Sequence, residues 1–167
     1  MKVEGGGTER VLTREEAVAL VTAFQADNRK VAFTNGVFDL LHPGHVRYLQ
    51  AGRALADALI VGLNSDASVR RNKGAGRPIT AEQERAEIVA SLACVDAVVI
   101  FDEDTPEEII HAIQPDVLVK GADWPADQIV GRQTVEARGG RVVRVALEEG
   151  HSTTAIVERI RGIRGPL

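Results

Sequence analysis

Apolar residues are arranged along the chain in two alternating patterns. Short apolar runs at Val31–Thr34, Ala58–Leu63, Ala97–Phe101, Val117–Lys120 and Arg141–Val145 read as strands. Between them apolar positions recur at helical spacing, as in Ala17, Leu20, Val21 and Phe24, and again across Gly44–Ala56 through Val46, Leu49 and Leu55. Helix starts punctuate these stretches. Thr13-Arg14-Glu15-Glu16 fits a capping box, and Asp27-Asn28 ends the helix that it opens. Ser65–Arg70 starts another helix. Thr80-Ala81-Glu82-Gln83 fits a second capping box, for a helix to about Leu92. Thr105-Pro106-Glu107-Glu108 opens a third, with Pro106 at the first helical position, where its missing N–H costs nothing. Ser152 or Thr153 opens the last helix, which ends near Gly162.

Strands that alternate with helices, and that are apolar throughout, suit a parallel sheet covered on both faces. The expected fold is α/β: a Rossmann-like, doubly wound parallel sheet with ligands at the carboxyl ends of its strands. Residues 1–29 read as an N-terminal tail and helix, and residues 30–167 as the domain proper. A length of 167 residues suits one domain. The net charge of −4 argues against a nucleic-acid partner. Cys94 is the only cysteine, which excludes an internal disulfide framework and any cysteine-based zinc cluster. No apolar run approaches the ~18 residues of a membrane span, and Met1–Arg10 lacks the apolar core of a secretory signal. A cytoplasmic protein without membrane contact is expected.

The most informative stretch is Asn35-Gly36-Val37-Phe38-Asp39-Leu40-Leu41-His42-Pro43-Gly44-His45. It follows a strand and leads into a helix, with Pro43 and Gly44 at the turn. A helix N-terminus offers free N–H groups to an anion. Two imidazoles beside it add donors that can follow charge building on a phosphate. Two plainer accounts exist. One histidine could pack while the other lies on the surface, or the pair could bind zinc, although no third ligand of the usual kind is evident nearby.

The same residues resemble the HxGH signature of the cytidylyltransferase-like nucleotidyltransferases. Within them, the chain from about Lys30 to Ile163 resembles the adenylyltransferase module for D-glycero-β-D-manno-heptose 1-phosphate. Four further segments carry the narrower likeness: Leu63-Asn64-Ser65-Asp66-Ala67-Ser68, Lys73-Gly74-Ala75-Gly76-Arg77-Pro78, Val119-Lys120-Gly121-Ala122-Asp123-Trp124 and Ser152-Thr153-Thr154-Ala155-Ile156-Val157. The HxGH element alone specifies the superfamily; the ordered set is more specific.

The resemblance implies a sheet of the nucleotidyltransferase type and a reaction in which a sugar 1-phosphate attacks the α-phosphorus of ATP. Pyrophosphate leaves, and Mg²⁺ is expected on the ATP phosphates rather than in a protein metal site. His42, His45, Lys73 and Arg77 are the expected catalytic residues. Lys73 and Arg77 lie in a glycine-containing loop that could close over the phosphates or be a plain solvated loop. Asn35, Gly36, Phe38, Asp39, Gly44, Lys120, Gly121, Asp123, Trp124, Ser152, Thr153 and Thr154 are expected around the nucleotide. For Trp124 a core position is an equal alternative, for Asp39 a turn cap, and for Ser152–Thr154 simple N-capping. Asp66 and Arg85 are candidates for the sugar phosphate, with Arg85 equally readable as a surface charge on its helix. Glu148-Glu149 reads as a solvated turn.

Glycerol 3-phosphate cytidylyltransferases carry an R-T-x-G-I-S-T-T segment, whereas this chain has Glu148-Glu149-Gly150-His151-Ser152-Thr153-Thr154, without the arginine. That favours the heptose module over a CTP-dependent enzyme acting on an alcohol phosphate. A nucleotide-binding module without catalysis is the third reading, and intact His42, His45, Lys73 and Arg77 weigh against it. G-x-G-x-x-G after the first strand, G-x-x-x-x-G-K-[ST] and G-x-S-x-G are all absent. The resemblance also implies a homodimer. Such modules are often fused behind a sugar kinase, but the residues before Lys30 suffice only for a helix and a tail, so a separate sugar kinase and phosphatase upstream are expected to supply the sugar 1-phosphate.

Overall fold

All five strands expected from the apolar runs are present, and a sixth, unforeseen strand precedes them. The computed structural model describes residues 7–146 and 150–162, so the readings placed on the first six residues, on Glu148-Glu149 and on Ile163 lie outside it. In chain order the described elements are β1 (Val11–Leu12), α1 (Arg14–Ala26), β2 (Val31–Gly36), α2 (Pro43–Arg53), β3 (Ala58–Asn64), α3 (Asp66–Lys73) and α4 (Glu82–Ala90). They continue with β4 (Ala97–Phe101), α5 (Glu107–Ile113), β5 (Val117–Gly121), α6 (Arg132–Glu136), β6 (Arg141–Val145) and α7 (Thr153–Gly162).

The strands form one sheet in the order β1-β4-β3-β2-β5-β6, and every pairing is parallel. The chain steps outward from β2 through β3 to β4, then returns to lay β5 on the other side of β2. This reversal leaves a crevice beyond the carboxyl ends of β2 and β5, where open parallel sheets bind ligands. Alternate strand residues supply two cores. Val31, Phe33, Ile60, Val99 and Leu118 meet α1, α5 and α6 on one face. Ala32, Leu59, Val61, Val98 and Val119 meet α2 and α4 on the other. Residues expected as a tail and helix ahead of the domain contribute to it: β1 pairs with β4, and Ala17, Val21 and Phe24 are buried in the first core.

The capping box at Thr13 forms in both directions, with Glu16 N–H donating to Thr13 Oγ1 and Thr13 N–H to the Glu16 carboxylate. The second expected box does not form. Ala81, not Thr80, is the N-cap of α4 and makes no side-chain cap, and the Thr80 N–H donates to the Asp39 carboxylate at 3.1 Å rather than to Gln83. Pro106 stands at the N-cap of α5, one position earlier than expected.

Candidate active site

β2 runs out at Gly36, and the next residues turn sharply. Phe38 and Leu40 adopt left-handed backbone, with φ of 52° and 47°. Such strain in non-glycine residues persists only where surroundings over-determine it. Between them Asp39 is buried, and its carboxylate accepts from the Ile79 N–H at 2.8 Å, the Thr80 N–H at 3.1 Å and the Arg77 guanidinium at 3.3 Å. Burial alone would raise its pKa, but these three donors hold it below the ordinary carboxylate value. The Asp39 carbonyl accepts from Thr153 Oγ1 at 2.6 Å. One residue thus ties the β2–α2 loop to the Lys73–Thr80 loop and to the start of α7.

His42 is the N-cap of α2, and its carbonyl accepts from the His45 and Val46 N–H groups. The His42 and His45 rings stack, with centroids 3.8 Å apart, and the Phe38 ring lies tilted 5.4 Å from His45. Gly44 makes room for this arrangement: a Cβ there would lie 3.1 Å from the His42 ring and from His151 Cβ. Burial, the neighbouring His42 and, to a smaller extent, Lys73 outweigh the pull of Asp39 and push the His45 pKa down to about 4. His45 is therefore neutral near pH 7. Its Nδ1 accepts from the His42 N–H at 3.4 Å, so the ring proton belongs on Nε2, a neutral donor. His42 is also shifted down, by burial and then by His151, and its Nδ1 is buried without a partner.

The sign of the His45 shift gives a pH prediction. The folded imidazole refuses a proton that the unfolded one accepts below about pH 6.5. Stability contributed by this site is therefore complete above pH 6.5 and declines as pH falls toward 4. An NMR titration of the unliganded protein should leave the His45 ring signal unmoved from pH 8 to about 5.5; a midpoint near 6.5 would contradict the assigned environment.

The histidines open onto a cavity of about 560 Å³. It is lined by fifteen of the expected site residues: Asn35, Gly36, Phe38, Asp39, His42, Gly44, His45, Lys73, Arg77, Gly121, Asp123, Trp124, Ser152, Thr153 and Thr154. Trp124 is 53% exposed, so it is no core filler but stands at the lip. Two of the expected hydroxyls are already engaged: Ser152 Oγ accepts from the Ala155 N–H, as an N-cap does, and Thr153 donates to Asp39. Lys120 lies in the wall of an adjoining cavity of about 500 Å³ instead.

Two expectations fail. Arg85 is fully buried, neither a surface charge nor open to a substrate. It donates to the carbonyls of Val37, Asn64 and Thr80 and to the Asp66 carboxylate. Asp66 is committed to this pair at 2.7 Å and borders a different, shallow surface depression. Val37, Tyr48 and His151 also line the main cavity and were not foreseen. Tyr48 follows His42 and His45 at intervals of three along α2, a spacing that puts the three near one face. Its hydroxyl shares a 2.8 Å hydrogen bond with Thr34, and burial pushes its pKa up to about 12, so it stays protonated. His151 immediately precedes the expected Ser152 and lies 6.2 Å from the His42 ring.

The doubly wound parallel sheet thus carries paired histidines on a helix start at its switch point. The chain belongs to the cytidylyltransferase-like family, whose model matches residues 33–159. It is 53% identical over 151 residues to bifunctional protein HldE of Pelobacter propionicus, covering 90% of this chain and 31% of that protein. The HldE of Acidiphilium cryptum is 53% identical over 161 residues, covering 96% and 33%. The chain thus spans about a third of these relatives' length. Among solved structures it resembles the lipopolysaccharide core biosynthesis protein of Thermoplasma volcanium, with a TM-score of 0.60, 27% identity, and coverage of 74% of this chain and 99% of that one. It also shares its fold with a pantoate–β-alanine ligase from Francisella tularensis, solved with a β,γ ATP ligand and β-alanine, at a TM-score of 0.58 and 14% identity, covering 83% and 68%.

Proposed function

We propose that this chain transfers the adenylyl group of ATP to D-glycero-β-D-manno-heptose 1-phosphate, giving the ADP-sugar and pyrophosphate. One observation carries the reading: four separated segments converge on one cavity with cations and neutral imidazoles at its centre. A phosphate oxygen of the sugar forms a bond to the α-phosphorus. The bond from that phosphorus to the oxygen bridging to the β-phosphate breaks, and its electron pair leaves with pyrophosphate. Such chemistry rests on positioning and charge stabilisation, and no covalent enzyme intermediate is required.

In this reading His42 and His45 donate to the phosphates at the reacting centre. Lys73 and Arg77 neutralise charge from the glycine-containing loop, and free N–H groups at the start of α7, with Thr154, hold the terminal phosphates. Asp123 and Trp124, at the lip, face the ribose and base. Asp39 is a positioning residue, since its carboxylate is committed to the Ile79–Thr80 amides and Arg77. Among the described residues no group of three histidine, cysteine or acidic side chains could cage a metal. A Mg²⁺ ion fits this site as one carried on the triphosphate, largely through phosphate oxygens and water. When bound it supplies charge neutralisation along the triphosphate. No helix among the described residues is long and apolar enough to cross a membrane. A homodimer belongs to the same proposal.

The reading is tested by pyrophosphate release from each nucleoside triphosphate with a panel of sugar and alcohol phosphates. Release with ATP and the heptose 1-phosphate is expected. Release only with CTP and glycerol 3-phosphate would replace the substrate pair, and none with any pair would leave a nucleotide-binding module.

A further inference from the structure

Lys120 is the next-to-last residue of β5, beside β2 at the point where the sheet reverses its winding. It is 9% exposed, and its ammonium donates to Asn35 Oδ1. Burial alone, with no acid opposing it, pushes its pKa down to about 8. A buried ammonium with one neutral partner is costly unless an anion joins it. Lys120 lines the second cavity, which shares Asn35, Gly36, Val37, Tyr48, Lys73, Gly121 and Trp124 with the first.

The two cavities differ in chemistry. Beyond the shared Lys73, the first holds His42, His45, His151 and Arg77, a donor set suited to a triphosphate. The second presents Asn64, Asn72, Asp104 and Thr105, groups that pair with hydroxyls, together with the apolar Val69, Pro106 and Ile129. Amides and a carboxylate mixed with apolar contacts match the hydroxyls and C–H faces of a polyol. The rim is also braced. Asn72 donates to the Asp104 carbonyl at 3.3 Å, and Arg71 pairs with the Asp104 carboxylate at 2.6 Å.

We infer that the Lys120 ammonium binds the phosphate of the acceptor, and that the cavity beside it seats the acceptor's hydroxylated carbon chain. This rests on the nucleotidyl-transfer reading and divides its site in two. It also moves Lys120 from the nucleotide, where the sequence placed it, to the attacking substrate. The partner of Lys120, Asn35, and its neighbour Gly121 line both cavities, so an acceptor phosphate on Lys120 would lie next to a nucleotide held by the histidines.

Calorimetry on the intact protein, with non-reactive α,β-methylene-ATP present, separates the two ligands. Lys120→Gln is expected to bind D-glycero-β-D-manno-heptose 1-phosphate about 10- to 100-fold more weakly, the range of a lost charge-assisted hydrogen bond. Its affinity for α,β-methylene-ATP should stay within about 3-fold, since that ligand does not touch Lys120. Its Tm should equal or exceed the wild-type value, because a desolvated charge has been removed. Lys120→Met should show the same acceptor-selective loss. Unchanged acceptor binding, a loss confined to the ATP analogue, or a fall in Tm with both ligands weakened would each overturn the inference. If the wild type binds glycerol 3-phosphate instead, and Lys120→Gln loses it, the inference stands and the heptose reading falls. A wild type that binds neither acceptor overturns both.

Discussion

Replacing His45 with alanine is expected to lower kcat by about 10²-fold or more, the usual effect of removing one preorganised donor from a reacting centre. Binding of α,β-methylene-ATP should change far less. The asymmetry follows from the state of the ring. Burial and the stacked His42 keep it neutral, so in the ground state it offers one Nε2–H dipole rather than a full charge. Its orientation is set beforehand by the His42 N–H on Nδ1, by the His42 ring stacked on it and by the tilted Phe38 ring. A fixed dipole is worth most where charge is building, because nothing must reorganise when it does. Single-turnover kinetics with saturating ATP read the chemical step directly. A near-normal kcat in His45→Ala would remove the residue from the reacting centre, and a loss appearing only in KM for ATP would make it a ground-state binding group.

What was legible in the sequence divides by the distance over which each contact acts. The Thr13–Glu16 box is a contact between residues three apart, so its spacing is its signal, and it forms as read. Thr80-Ala81-Glu82-Gln83 has equally suitable spacing but does not form, because the helix starts one residue later, at the Ala81 N-cap, and Asp39 takes the Thr80 N–H that Gln83 would have capped. That competitor lies about forty residues earlier in sequence. β1 was missed for a related reason: two residues show no period, and only pairing with β4 makes them a strand. The main cavity was more legible than these boundaries. Its residues follow the carboxyl ends of recognisable strands or open recognisable helices, and a doubly wound sheet gathers such positions at one edge. Asp39 was placed in the right neighbourhood, but its partners, forty residues on, were not foreseeable.

Arg85 shows most clearly what spacing conceals, and its removal should have the largest effect on stability. On a helix rich in charge it reads as one more exposed side chain, yet its side chain is 1% exposed and its partner Asp66 is 24% exposed. The guanidinium joins two loops and the end of β3 through carbonyls at Val37, Thr80 and Asn64, at 2.6, 2.9 and 3.0 Å. Val37 belongs to the turn that leads into the paired histidines, and Thr80 to the loop that carries Lys73 and Arg77. Arg85→Met fills the volume but leaves a carboxylate and three carbonyls without their donor. The expected loss is about 3–5 kcal/mol, a large part of the roughly 5–15 kcal/mol that holds an ordinary domain together. Urea denaturation measures it. A paired substitution then separates the two roles of the side chain. If the ion pair alone matters, Asp66→Asn in the Arg85→Met background restores most of the stability, because a buried pair can often be replaced by neutral groups at little cost. If the carbonyls matter, the double variant stays destabilised, since no methionine can donate to them. The geometry favours the second outcome: three of the four hydrogen bonds go to backbone. A loss under about 1 kcal/mol in Arg85→Met, within the range of ordinary surface changes, would show that the loops hold their places without it.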